Sequence, residues 1–291
     1  MSDMFPAPAA PDPSLAAPDP LLPAPDADFS YVETDELDPG QRWSTWDDVG
    51  VLAGPEPWPD WLVTSDAAVD TELGVLKTGK EADVFLLERA DANAGVVLAA
   101  KRYRSLDHRL FSRDAGCTEG RRMRNSRDRR ATAKGTRHGR SVEAGQWAAA
   151  EFSCLSRFWS VGLPVPYPVQ LDGTELLMEL VTLADGAAAP RLASTRPARP
   201  LLESYWAQLT QAMRGMASLG LAHGDLSPFN LLAAGERLVL IDLPQSIDVV
   251  ANPQGMEYLA RDCRNVVAWF RARGLDVDAD ELLADLVTYA F

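Results

Sequence analysis

The chain has 291 residues, 46% of them hydrophobic, which is enough for one two-lobed domain or two small ones around a sizeable core. A formal net charge of −14 excludes unspecific binding of nucleic acid or an anionic membrane by the molecule as a whole. Cys117, Cys154 and Cys263 have neither metal-ligand spacing nor even pairing, which suits free thiols in a reducing cytoplasm.

The opening residues lack the basic and apolar regions of a secretory signal. Apolar runs such as 231–234 and 238–241 are far too short to span a bilayer. A soluble, cytoplasmic chain with no membrane partner is therefore expected.

Residues 1–40 are rich in Pro, Ala and Asp and almost devoid of basic residues. Such a segment buries too little apolar surface to offset its ordering entropy, so a disordered arm is expected. The stretch 41–72 holds Trp43, Trp46, Trp58 and Trp61 among Asp and Pro. Each indole carries a large apolar area, so all four are expected to pack on the domain that follows.

Residues 73–103 read as three strands. A small polar turn, Thr78-Gly79-Lys80-Glu81-Ala82-Asp83-Val84, joins the first two, and the third ends at Lys101. Between 101 and 140 there are 14 Lys/Arg against 4 Asp/Glu, with no helical apolar periodicity. This predicts a long basic loop over 104–140. Two readings stand: contact with RNA, a ribosomal particle or an acidic partner, and pairing with the acidic remainder of the chain.

The spacing of Trp147, Glu151, Leu155 and Phe158 predicts an amphipathic helix over 143–160. A Glu on that apolar face needs a partner, and Lys101 is the natural one. Residues 167–181 predict a hairpin turning at Asp172-Gly173, whose second strand carries Met178, Glu179 and Leu180. Helices are expected over 201–221, 255–273 and 279–290.

The stretch His223-Gly-Asp225-Leu-Ser-Pro-Phe-Asn230 is followed, twelve residues beyond Asn230, by Asp242 at the end of an apolar strand. Phosphoryl transfer from ATP needs one carboxylate to orient the attacking hydroxyl. It also needs an amide and a second carboxylate to hold Mg²⁺ at the phosphates. The spacing resembles the protein-kinase pattern, with Gly224 in place of Arg and Asp242-Leu-Pro in place of D-F-G. Met178-Glu179-Leu180 resembles a kinase hinge, although an ordinary hairpin fits equally well.

Over residues 73–291 the chain resembles the RIO family of atypical serine/threonine kinases, nearest its type-1 branch. The resemblance rests on Thr78-Gly-Lys-Glu-Ala-Asp-Val, His223-Gly-Asp-Leu-Ser-Pro-Phe-Asn, Ile241-Asp-Leu-Pro-Gln-Ser and Arg261-Asp-Cys-Arg-Asn-Val. The departures are Ser227-Pro228-Phe229 and Leu243-Pro244. The resemblance implies an α+β, two-lobed kinase fold: a lobe over 73–181 with a β-rich sheet, and a mainly helical lobe over 182–291.

It further implies roles for single residues. Lys101 would hold the α- and β-phosphates and pair with Glu151. Asp225 would orient the nucleophile, and Asn230 and Asp242 would bind Mg²⁺. The turn residues Thr78, Gly79, Lys80, Glu81, Ala82 and Val84, with Met178, Glu179 and Leu180, would surround ATP. In this family the metal-binding Asp, here Asp242, also serves as a phosphate acceptor in an ATPase cycle. Three activities are compatible with the resemblance: a serine/threonine kinase, an ATPase switch in ribosome maturation, and a small-molecule kinase similar to aminoglycoside phosphotransferases. The turn and the basic insert disfavour the last.

Overall fold

The computed structural model describes residues 37–104, 137–243 and 246–291. The expected arm and most of the basic loop lie outside the described residues. The chain divides into two compact units, Met1–Asp38 and Pro39–Phe291, and every element below belongs to the second.

Six antiparallel strands form the sheet of the first lobe: β1 (Gln41–Trp43), β2 (Val69–Thr78), β3 (Ala82–Ala90), β4 (Gly95–Tyr103), β5 (Pro168–Asp172) and β6 (Glu175–Glu179). Their order across the sheet is β1-β2-β3-β4-β6-β5. Side chains alternate between the faces of a strand, and β4 shows what that achieves. Leu98 and Ala100 join a core with Leu87, Val169, Leu177 and Tyr167 on one face, whereas Ala99, Lys101 and Tyr103 face a cavity on the other.

The segment between β1 and β2 crosses the core side of the sheet from edge to edge as a strap. It contains a short helix, α1 (Trp46–Val49). At one edge β1 pairs with β2, and at the other Gly54 N–H donates to Val169 O at 2.8 Å. This covers edge strands that would otherwise be open to pairing with another chain. The four Trp differ in how deeply they pack. Trp46 is 6% exposed, but Trp43, Trp58 and Trp61 remain 38–46% exposed. Only Trp46 lies under the strap. Trp58 meets its edge, and Trp61 meets the ring of Tyr167.

Strand β2 begins four residues before the sequence suggests. The polar run Val69-Asp-Thr-Glu hides a buried ion pair. Arg89, wholly buried, donates from Nε and Nη2 to the two Asp70 carboxylate oxygens at 2.7 and 2.9 Å. Its Nη1 reaches Gln170 Oε1 at 2.8 Å, and Gln170 Nε2 continues to Thr45 Oγ1 at 2.8 Å. One network therefore ties β2, β3, β5 and the strap together.

Helix α2 (Arg137–Ser160) packs on the cavity side of the sheet through Ala144, Ala148, Glu151, Phe152, Leu155 and Phe158. It starts at Arg137, six residues before the apolar stripe suggests. The last residues of the expected 104–140 loop are thus helical.

The second lobe is built on α3 (Arg199–Ser218), α4 (Gly255–Arg271) and α5 (Ala279–Ala290). Two small two-stranded sheets accompany them: β7 (Leu221–Ala222) with β10 (Ile247–Asp248), and the hairpin of β8 (Leu231–Ala234) with β9 (Arg237–Leu240). Asp278 caps α5 by accepting from Asp280 N and Glu281 N. Among the described residues no helix is long and apolar enough to cross a membrane.

Replacing Asp70 by Ala strands a buried guanidinium. The expected cost is about 3–5 kcal/mol in chemical denaturation, with a smaller loss for the double variant Asp70→Leu/Arg89→Met, in which no charge is left unpaired.

Candidate active site

A cavity of about 530 Å³ lies between the lobes, within the size range of small-molecule sites. Val84, Ala99, Met178, Leu180, Leu232 and Ile241 form an apolar slot, while Lys77, Lys101, Glu151, Arg191 and Asp242 gather at the polar end. Gly79, Lys80, Glu81, Ala82 and Glu179 also line it. Three of the expected site residues lie outside the lining: Thr78, Asp225 and Asn230. Thr78 is paired with Asp83 at the end of the β2–β3 ladder, and the other two belong to a separate loop.

The turn at 78–83 is held by its own carboxylate. Gly79 N–H donates to Asp83 Oδ1 at 3.3 Å, and Arg104 grips both Asp83 oxygens at 2.6 Å. A Cβ on residue 79 would lie 2.6 Å from Ala82 O, so only glycine allows this close backbone approach.

Lys101 Nζ donates to Glu151 at 2.7–2.8 Å and to Asp242 Oδ1 at 3.0 Å. Strand, helix and the second lobe thus meet at one ammonium. Burial pushes the Lys101 amine down, but the charges and hydrogen bonds of Glu151 and Asp242 outweigh it and hold the amine above its ordinary value. Asp242 shows the converse. Burial pushes its carboxyl up, and Lys101, with His223 and Arg191 behind it, holds it below the ordinary value. Asp242 adopts φ 67°, a left-handed conformation that Asp tolerates better than most residues. Sequence reasoning missed Tyr103, whose hydroxyl donates a very short hydrogen bond to Glu151 Oε2. The signal was its place two residues after Lys101 on the same face of β4.

Asp225 is exposed, while the backbone on each side of it is fastened. Asp262, buried on α4, accepts from Gly224 N and Leu226 N, both at 2.8 Å. Arg261 Nη2 donates to Gly224 O in a short contact, and Asn265 Nδ2 to Leu226 O at 3.1 Å. The motif at 261–265 is therefore the clamp of the catalytic loop. Gly224, with φ 84°, takes the turn that presents both its N–H and its C=O to α4. Burial pushes the Asp262 carboxyl up, against His223, the two amides and Arg261. Asn230 Nδ2 donates to Asp225 O at 2.9 Å, coupling the two loop residues. His223 Nε2 donates to Ile241 O at 3.1 Å, which holds the strand that leads to Asp242.

Met178, Glu179 and Leu180 of the expected hinge line the cavity, and one backbone group of the three is already engaged. Glu179 N–H donates to Tyr167 O at 2.8 Å, so it is closed to an adenine edge. The β5–β6 hairpin consumes it.

Among the described residues no cluster of three or more His, Cys, Asp or Glu would by itself hold a metal. The donor set fits Mg²⁺ all the same. That ion keeps waters and takes one or two protein oxygens, which Asp242 and Asn230 would supply here, with the rest from substrate phosphates.

An apolar slot ending in a lysine–carboxylate pair, above a clamped Asp–Asn loop, defines a protein-kinase-like phosphotransferase. Comparison with known proteins narrows the class. A family model described as RIO domain matches residues 97–282, and the chain belongs to that family. The RIO-type serine/threonine-protein kinase Rio1 of Haloferax volcanii is 36% identical over 222 residues, covering 76% of this chain and 71% of its own. The serine/threonine-protein kinase RIO1 of Caenorhabditis elegans is 32% identical over 209 residues, covering 70% of this chain but 38% of its own. The solved Rio2 kinase–ADP/Mg²⁺–phosphoaspartate complex of Chaetomium thermophilum shares the fold at a TM-score of 0.54 and 21% identity, over 75% of this chain and 62% of that one.

Asp262→Ala leaves two buried amides unsatisfied and Asp225 unheld. It is expected to cost about 2–4 kcal/mol in thermal denaturation, at roughly 1–3 kcal/mol per orphaned donor. Lys101→Ala and Glu151→Ala are expected to be non-additive, with a coupling of about 0.5–3 kcal/mol in a double-mutant cycle of nucleotide affinity. Simple addition would contradict the contact.

Proposed function

We propose that the chain binds Mg·ATP in the cavity between the lobes and transfers the γ-phosphoryl group to a serine or threonine hydroxyl of a protein, its own included. The observation that carries this reading is the part-buried Lys101 held between Glu151 and Asp242, together with a loop clamped so that Asp225 is exposed. Lys101 holds the α- and β-phosphates. Asp225 accepts a hydrogen bond from the acceptor hydroxyl, aims its oxygen at phosphorus and takes up the proton. Asn230 and Asp242 offer oxygens to Mg²⁺, which neutralises phosphate charge when bound. The RIO domain match and the kinase relatives disfavour the small-molecule reading.

A specific observation also supports an ATPase branch. The Asp242 side chain is 49% exposed at the polar end of the cavity, and the Rio2 structure of Chaetomium thermophilum is a phosphoaspartate complex. In this branch a carboxylate oxygen of Asp242 forms the P–O bond as ADP leaves, and water then cleaves the acyl phosphate.

The cytoplasm is the proposed location, supported by the free cysteines Cys154 and Cys263. RNA or a ribosomal particle is the proposed partner of the basic segment, supported by its excess of 10 positive charges over 101–140.

Asp225→Asn is expected to bind ATP like the parent and to lose about 10²–10⁴-fold in transfer of labelled phosphate. Transfer at the parent rate would sink the assignment. Deleting 112–138 is expected to leave the melting temperature unchanged and to abolish salt-sensitive RNA binding. In the parent, log affinity should fall with log salt at about −0.7 to −0.9 per phosphate contact. Unchanged binding with a lowered melting temperature would favour an intramolecular role instead.

A further inference from the structure

The polar end of the cavity holds a cation to which the mechanism so far gives no task. Arg191 lies between the β6 strand and α3, outside any periodic element. A bridge to Leu232 fixes its backbone, and Ala233 N–H donates to the neighbouring Pro190 O at 2.9 Å. Leu232 and Ala233 belong to the strand that leaves Asn230, so Arg191 is carried by the same piece of structure as the metal-binding amide.

The partners of its guanidinium set it apart. Nη1 donates to Phe229 O in a very short contact and approaches Asn230 Oδ1 at 3.5 Å. Both acceptors are neutral, and the other N–H groups of the fork have no acceptor among the described residues. Lys101 differs, because two carboxylates already answer its charge. Arg191 also reaches across the cavity. Its charge helps hold the Asp242 carboxyl down, and after burial it is the largest cause lowering the Lys77 amine. A guanidinium that faces a cavity, with only neutral acceptors for its charge, selects an anion with two coplanar oxygens.

We propose that Arg191 binds the γ-phosphoryl group of ATP, as a second fixed cation of the site besides Lys101. The proposal rests on the kinase reading. Position selects the phosphate. Arg191 touches Asn230, and Asn230 Nδ2 is bonded to Asp225 O at 2.9 Å. A phosphoryl group held by Arg191 beside Asn230 is the one nearest the loop that carries Asp225, and so the one that moves in the proposed transfer. At 3.5 Å the contact with Asn230 Oδ1 is weak, so the fork can leave it when that oxygen turns to Mg²⁺. Charge that develops on the transferred group then meets a donor already in place, which is where electrostatic stabilisation acts on rate.

The test uses the full chain with Mg²⁺. Titration calorimetry measures ADP and the non-hydrolysable β,γ-imido analogue of ATP against the parent, Arg191→Ala and Arg191→Lys. Single-turnover transfer from labelled ATP gives the rate. Arg191→Ala is expected to weaken the analogue about 10–100-fold, the effect of one charge-assisted donor pair, with ADP affinity and the nucleotide-free melting temperature unchanged. Transfer should fall about 10²–10³-fold. Arg191→Lys should recover part of both losses. An equal loss for ADP and the analogue, or no loss for either, would overturn the proposal. If Arg191→Ala does not fold, Arg191→Gln carries the same comparison. Should the parent bind neither nucleotide, the kinase reading falls and the proposal with it. A parent that binds and transfers, matched by its Arg191 variants, removes Arg191 alone.

Discussion

A lysine can stay charged inside a protein only if fixed negative charge answers it, and this fold is arranged to answer Lys101 twice. Glu151 arrives on a helix and Asp242 from the other lobe, while the ammonium itself sits on the central strand of the sheet. Removing Lys101 leaves the buried Glu151 carboxylate facing a second carboxylate with no cation between them, which costs far more than a surface pair contributes. The spacing of sheet and helix and the approach of the lobes therefore depend on one electrostatic constraint. Tyr103 adds a second hold on Glu151, so the helix carboxylate is fixed from the sheet side by two residues of one strand.

The catalytic loop meets a related constraint by other means. In the proposed mechanism Asp225 has to remain exposed to meet a hydroxyl, and an exposed residue has little packing of its own to keep it still. Hydrogen bonds from α4 to the backbone on each side of Asp225 supply the rigidity instead. Four backbone groups are satisfied by three side chains within five residues of one helix. A buried Asp262 is tolerable because two amides and a guanidinium neighbour share its charge. A site that must present charge to solvent is thus held by charge that solvent never reaches.

Much of this was legible because chemistry at a phosphate site demands particular residues at particular spacings. Lys101 ends an apolar strand, Glu151 interrupts an apolar helix face, and Asp225, Asn230 and Asp242 keep their intervals. What stayed hidden shares a cause: a polar side chain buried by a partner distant in sequence looks like surface. Asp70 reads as part of a polar loop until Arg89 is seen against it, 19 residues on. Arg191 sits in a stretch with neither period nor motif, and only the bridge to Leu232 brings it to the site. The Trp residues err in the other direction. Their area predicts burial, yet a strap one layer thick has room beneath it for Trp46 alone.

The departure at Leu243 shows how the lobes stay in register. Where a kinase has Phe after its metal-binding Asp, this chain has Leu243, fully buried in the main core. Its carbonyl accepts from Ser246 Oγ at 3.0 Å, and that hydroxyl lies 3.1 Å from Cys154 Sγ on α2. The helix that carries Glu151 is therefore joined to the segment that carries Asp242 by packing and hydrogen bonding as well as through Lys101. Five residues after Asp242 the chain is already in β10. Asp242 is thus positioned by the core beneath it, and the alignment of Glu151, Lys101 and Asp242 is a property of the folded state itself.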